Sequence, residues 1–205
     1  MALTIALERE VPADASVVAT GVASDALAAG LAAAGIDEAY AAGRGFTAKV
    51  GQTLTVAGRD GGSATLVVGL GPAREVGPTV LRRAAASVSR AARREVSVAV
   101  RLLDAVTEAP ERPAAAQAVA EGLVLGAYRF STYKSDPEPV RLERVAVVGR
   151  GGARIAGALS QGATIAGGVC LARDLVNTPG GDLTPAELAA VATEIATREH
   201  LDVSV

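Results

Sequence analysis

Aromatic residues are nearly missing from this chain: it has no tryptophan, and two Phe and three Tyr make up only 2% of its 205 residues. Proteins that read single-stranded nucleic acid stack bases on exposed rings, so a platform of that kind is excluded. Cysteine is limited to Cys170, which rules out an internal disulfide framework and suits a reducing compartment. Histidine also occurs once, at His200, with no HExxH, Cys/His cluster or close group of aspartates beside it. A stable metal site needs three or four converging ligands, and the sequence around His200 does not supply them. Neither sign of charge dominates: a net charge of -2 gives no global attraction to a phosphate backbone, so nucleic acid is not the expected partner. No window supplies the ~20 uninterrupted apolar residues of a membrane span. Glu8, Arg9 and Glu10 interrupt the N-terminus too soon for a signal peptide. The expectation is a soluble, unexported, cytoplasmic protein with no membrane partner.

The chain is 50% hydrophobic, rich in Ala, Val and Leu, and long enough for one large domain or one domain plus an extension. Short β-rich runs at residues 3–7, 17–22, 53–57, 64–69, 96–102 and 141–148 read as strands. Residues 25–34, 78–94 and 114–129 read as helices between them. Such alternation predicts an α/β fold, a mixed sheet flanked by helices. Leu66-Val67-Val68 and Val145-Ala-Val-Val148 are nearly continuous apolar runs, as expected of central strands buried on both faces. The first strands alternate more and are expected nearer an edge.

In the helix from Pro78, Val80, Leu81, Ala84, Val88, Ala91 and Ala92 fall on one side. Arg82, Arg83, Arg90, Arg93 and Arg94 fall together on the other, which reads chiefly as a solvated helix face and secondarily as a surface for an anion or a neighbouring subunit. Residues 106–113 and 131–139 read as exposed loops. A long helical segment follows the Gly149-Arg-Gly-Gly152 turn to about Val176, with Ile155, Leu159, Gly162, Ala166, Val169 and Cys170 on one face. Asn177-Thr-Pro-Gly-Gly181 ends it. Thr184 is a candidate N-cap, with Pro185 at the first helical position and Glu187 three residues on. Leu188, Val191 and Ile195 then mark a buried stripe, and residues 201–205 alternate like the start of a strand.

Three stretches together resemble the leucyl aminopeptidase (cytosol aminopeptidase) family. They are Leu171-Ala-Arg-Asp-Leu-Val-Asn-Thr-Pro-Gly-Gly-Asp-Leu-Thr-Pro185, Glu121-Gly-Leu-Val-Leu-Gly-Ala-Tyr-Arg-Phe130 with Tyr133-Lys134-Ser135, and Val67-Val-Gly-Leu-Gly71. The first is similar to the family's interdomain junction. The resemblance implies an N-terminal domain over residues 1–152, a macro-domain-like three-layer sandwich, with interdomain helices and the opening of a metallopeptidase domain over 153–205. It implies a parent enzyme that removes N-terminal residues from peptides with two divalent ions, Mn²⁺ or Zn²⁺. Its partners would be the peptide substrates, its own catalytic domain and neighbouring subunits of a homohexamer. The family's metal ligands lie in Lys-Gly-x-x-x-Asp-Ser-Gly-Gly and Asn-Thr-Asp-Ala-Glu-Gly-Arg stretches. Neither occurs here, and the only lysines, Lys49 and Lys134, lack that context. No catalytic residue, metal ligand or cofactor is therefore expected in this chain, which should be inactive alone. Arg173, Asp174, Asn177 and Pro179 are expected to be structural residues of the junction.

Two other functional classes compete. Glycine-rich turns can present backbone N–H groups to phosphate, so Gly69-Leu-Gly71 or Gly149 to Gly152, with Arg150 exposed, could serve a nucleotide or ADP-ribose module. Neither turn completes a nucleotide fingerprint. The arginines from Arg82 to Arg94 could instead form a DNA-binding scaffold. Cys170 reads as a small buried apolar residue rather than a nucleophile, and His200 as a residue near a helix C-terminus.

Overall fold

The computed structural model describes residues 3–58, 61–136 and 140–204. Six apolar runs form the strands β1 (Thr4–Glu8), β2 (Val17–Ala23), β3 (Thr53–Val56), β4 (Ala64–Gly71), β5 (Ser97–Val100) and β6 (Arg144–Val148). The helices are α1 (Leu27–Ala33), α2 (Glu38–Gly43), α3 (Pro78–Ala91), α4 (Arg112–Ala127), α5 (Gly152–Asn177) and α6 (Pro185–Glu199). The chain divides into two compact units, Met1–Gly167 and Gly168–Val205.

In the first unit the strands form one mixed sheet in the order β1-β6-β5-β2-β4-β3. Every pair is parallel except β3 with β4. Parallel neighbours need crossovers, and the crossover helices cover the sheet on both faces. On one face Leu66, Val68, Val98, Val100, Val145 and Val147 meet Leu81 and Val88 of α3, Val119 and Leu123 of α4, and Ile155 and Leu159 of α5. On the other, Val22, Leu54 and Val67 meet Leu31 of α1 and Ala41 of α2. The result is a three-layer α/β sandwich. The apolar side chains of β4, β5 and β6 divide between the two layers, which is why those runs do not alternate.

The first strand is an edge strand, with Thr4, Ala6 and Glu8 exposed in alternation. The second is not: β2 lies between β5 and β4, contrary to the expectation of an edge position. Its polar-looking Thr20 and Gly21 fall where the strand nears the rim and its register shifts between Val22 and Ala23. The fifth run stops at Val100 and turns into a 3₁₀ segment, Leu102–Ala105. The short helix α2 carried no periodic signal; Asp37 caps it by accepting from the Tyr40 N–H at 2.8 Å.

Because α4 packs between α3 and α5, most of its circumference is buried, polar Glu121 included. Close approach to α3 depends on Gly122, where a Cβ would run into the Arg82 carbonyl and, at 2.8 Å, the Ala85 methyl. On α3 itself Ala91 is exposed although the periodicity put it on the apolar side, while Ser87 and Ser89 are buried. Ser89 donates to the Leu123 carbonyl at 2.8 Å, so its burial leaves no orphan hydroxyl.

The first turns of α5 bury Ile155, Leu159, Gly162 and Ala166 as expected, but Val169 is exposed and Cys170 only half-buried. By length and composition alone α5 is apolar enough to cross a membrane, although charged residues interrupt it. Ile155 and Leu159 of this helix pack in the core of the first unit, while Ile165 and Val169 stay exposed. In the second unit Thr184 caps α6 through the Glu187 N–H at 3.3 Å. Of the expected stripe, Val191 and Ile195 are half-buried, Leu188 is 49% exposed, and the buried residue is Ala196. Residues 201–204 form no strand, correcting that expectation; Val205 lies outside the described residues, as does the 137–139 part of the second long loop.

Candidate functional site

The arginines that the sequence groups on one helix face do not share one environment. Arg82 leans back onto α4, where its Nε donates to Glu121 Oε2 at 2.5 Å, and Gln117 donates to the other carboxylate oxygen at 2.9 Å. The Arg82 side chain is 38% exposed and that of Glu121 only 10%, so this pair ties two helices together and departs from the expected solvated face. Arg90 donates to Ser87 one turn back at 2.8 Å. Arg93 is half-buried, and Arg83, Arg90 and Arg94 are exposed. A contiguous basic stripe along α3 is therefore interrupted at its start.

Arg150 stands elsewhere, in a cleft of about 700 Å³ at the C-terminal rim of β1, β5 and β6. Parallel strands end on the same edge of a sheet, and each of these three is followed closely by arginine: Arg9 after β1, Arg101 after β5 and Arg150 after β6. Arg112, opening α4, and Arg154, in the first turn of α5, complete the lining, with Val148 and Ile155 forming an apolar floor. The Arg112 guanidinium donates to the carbonyls of Val106 at 3.0 Å, Leu103 at 3.3 Å and Arg150 at 3.2 Å, holding the segments after β5 and after β6 around one cation. Arg101 pairs with Asp104 at 3.0 Å. The guanidinium groups of Arg9, Arg150 and Arg154 have neither ion pair nor hydrogen bond among the described residues.

The sequence pointed to one of these five arginines. Arg9, Arg101, Arg112 and Arg154 were missed because they are scattered along the chain. A usable signal was present: three of the parallel strands are each followed within two residues by arginine.

The Gly69 to Gly71 turn is not a phosphate cradle. The Gly69 N–H donates to the Gln52 carbonyl at 2.8 Å and the Gly71 N–H to the Ala48 carbonyl at 2.9 Å, so both donors are used by the segment before β3. A Cβ at Gly69 would strike the Ala48 and Lys49 backbone, which accounts for glycine there. Arg173, Asp174, Asn177 and Pro179 are exposed in the second unit, where Thr178 folds its hydroxyl onto the Asp174 carbonyl at 2.8 Å to close the end of α5. His200 occupies the C-cap of α6 in the left-handed conformation (φ 55°), with its N–H donating to the Ala196 carbonyl. Burial pushes the Cys170 thiol up from its ordinary value, with Arg173 pulling more weakly the other way and Asp174 adding to the rise. That disfavours the thiolate a nucleophile needs. Among the described residues no group of three or more His, Cys, Asp or Glu could hold a metal ion.

A mixed six-stranded α/β sandwich of this kind is the fold found in hydrolases of the aminopeptidase class. The family model for "Cytosol aminopeptidase family, N-terminal domain" matches residues 20–137, more than half of the sequence, and the chain belongs to that family. It is 39% identical over 137 residues to a probable cytosol aminopeptidase of Thermosynechococcus vestitus, covering 64% of this chain and 27% of the relative. It is 40% identical over 148 residues to one of Mycobacterium marinum, covering 70% of this chain and 27% of the relative. The chain thus spans about a quarter of the length of these relatives. Among solved structures, the bottromycin maturation enzyme BotP in complex with Mn superposes with a TM-score of 0.76 at 36% identity, over 92% of this chain and 37% of that one. A tomato leucine aminopeptidase variant shares the fold, with a TM-score of 0.82 at 24% identity over 96% of this chain and 42% of that one.

Proposed function

We propose that this chain acts as the non-catalytic N-terminal part of a metal-dependent aminopeptidase, and that peptide hydrolysis by the parent enzyme takes place outside residues 1–205. The observation that carries this reading is the match of residues 20–137 to the family's N-terminal domain, together with alignment to about a quarter of each relative. The parent is a cytoplasmic exopeptidase, as the family name suggests. It uses two divalent ions, and the Mn in the BotP complex supports manganese as one candidate. Those ions would polarise the scissile carbonyl and supply a hydroxide nucleophile. On this reading their ligands lie outside residues 1–205.

The role left to this domain is assembly with neighbouring subunits and control of access to the active site. The second unit supports a docking role towards the catalytic domain: Val176 is 84% exposed, Leu188 49% and Leu201 62%, an unusual apolar content for a surface facing only water. Arg173, Asp174, Asn177 and Pro179 would organise that junction.

Purified residues 1–205 with Mn²⁺ and leucine p-nitroanilide give the direct test. The expected result is no turnover above the metal-only blank. Measurable, Mn²⁺-dependent hydrolysis would overturn the assignment of the chemistry to residues beyond this chain. Light scattering of the same sample tests the assembly role, since a strict monomer at micromolar concentration places the oligomer contacts elsewhere.

A further inference from the structure

We infer that the cleft at the C-terminal rim of β1, β5 and β6 is a binding site for a compact multivalent oxyanion, of the di- or triphosphate class. Among the described residues five guanidinium groups line it, against a single lining carboxylate, Asp104, which is already paired with Arg101. Arg9, Arg150 and Arg154 have no partner among the described residues, and Arg112 spends its hydrogen bonds on neutral carbonyls. Four cations without a carboxylate thus converge on one concave space. Like charges gathered in this way repel one another, and an anion that bridges them relieves that repulsion.

Arginine also suits this ligand by shape, because its planar fork donates two parallel hydrogen bonds to adjacent phosphate oxygens. Both α4 and α5 begin at the cleft, so two helix N-termini add positive potential to the arginines. The cleft also lies outside the carboxyl ends of parallel strands, the usual ligand position in open α/β sheets.

The lining also says what the ligand is not. Among the described residues no aromatic ring lines the cleft, so a base or nicotinamide finds no stacking partner there. A volume of about 700 Å³ with arginines on several sides exceeds the needs of a single phosphate. Two or three linked phosphate groups fit the number of donors and the space. The anion could be free or the end of a larger metabolite, and both present the same chemistry.

Isothermal titration of the full 205-residue chain with inorganic pyrophosphate, tripolyphosphate and ADP tests this. Pyrophosphate and tripolyphosphate should bind saturably with one site per chain. Arg150→Ala with Arg154→Ala should weaken that binding at least about tenfold, since each removes a charge-assisted hydrogen bond. Both side chains are exposed, so the fold should survive, and an unchanged thermal midpoint is the control. ADP binding more tightly than pyrophosphate, with the same loss in the double variant, would support the site and identify the anion as part of a nucleotide. A flat titration with all three, or binding equal in the parent and the double variant, would overturn the proposal. So would tight binding of duplex DNA without any pyrophosphate response, because that reads an extended backbone and not a compact anion.

Discussion

Two groups of arginines in this molecule, one close in sequence on α3 and one scattered along the chain, take opposite physical roles. On the α3–α4 layer, Arg82 is half-covered and neutralised by Glu121, so its charge holds two helices together. At the strand-end cleft, Arg9, Arg150 and Arg154 have no counter-charge among the described residues. What separates them is the neighbour: a carboxylate one helix away in the first case, other arginines in the second. Arginines close in sequence on an amphipathic helix are poor evidence for a binding surface, because a packed neighbour can absorb any of them. Scattered arginines that a parallel sheet brings to one rim are better evidence, since no local structural need gathers them there.

The comparison can be broken hardest in the helix layer. Gly122→Val places a branched side chain against the Arg82 backbone and the Ala85 methyl, and overpacking of this kind should cost about 3 kcal/mol. A urea melt would show it as a lower midpoint with an unchanged slope; retention of the parent midpoint would mean the layer is looser than described.

A smaller loss, about 1–3 kcal/mol, is expected for Arg82→Ala, because Glu121 is then left buried with only Gln117 as partner. Adding Glu121→Gln should restore part of it, since the uncompensated charge is gone. Recovery in that double variant is the measurement that separates pairing from mere packing.

In the cleft the same substitution should do little to stability. Arg150→Ala and Arg154→Ala should each stay within about 0.5 kcal/mol of the parent, because exposed side chains without partners carry little folding energy. Asp104→Asn sharpens the contrast further: it should leave stability within about 0.5 kcal/mol, as expected for an exposed ion pair, yet strengthen pyrophosphate binding severalfold by releasing Arg101. Weaker binding in that variant would mean Asp104 positions Arg101 and does not compete with the ligand.

The mildest effect concerns the thiol in the second unit. With its pKa raised above 9.0 by burial, Cys170 should react with iodoacetamide at pH 8 more slowly than a free cysteine, and the lag should narrow as pH rises. The folded state holds that proton more tightly than the unfolded chain, so the contribution is present at neutral pH and is lost as pH climbs past 9.0. Reaction at the free-cysteine rate at pH 8 would place Cys170 in water.

Much of the fold was legible because its signals are local. Val145 to Val148 and Leu66 to Val68 are apolar on successive positions, which a strand tolerates only where both faces are covered, and both lie inside the sheet. Thr184, Pro185 and Glu187 announce the start of α6 by their own hydrogen-bonding needs. The central place of β2 was not legible, because strand order depends on which crossover helix packs where. Leu188 was misassigned to a buried stripe since periodicity reveals that a face is apolar but not what covers it.

By itself, then, the sequence determined the alternation of strands and helices and the helix caps, all of which are written in neighbouring residues. Tertiary structure alone decided that Arg82 is neutralised while Arg9, Arg101, Arg112, Arg150 and Arg154 meet around one cleft. Electrostatic energy depends on distance in space, and five residues far apart along the chain acquire a common field only when parallel strands end on the same edge.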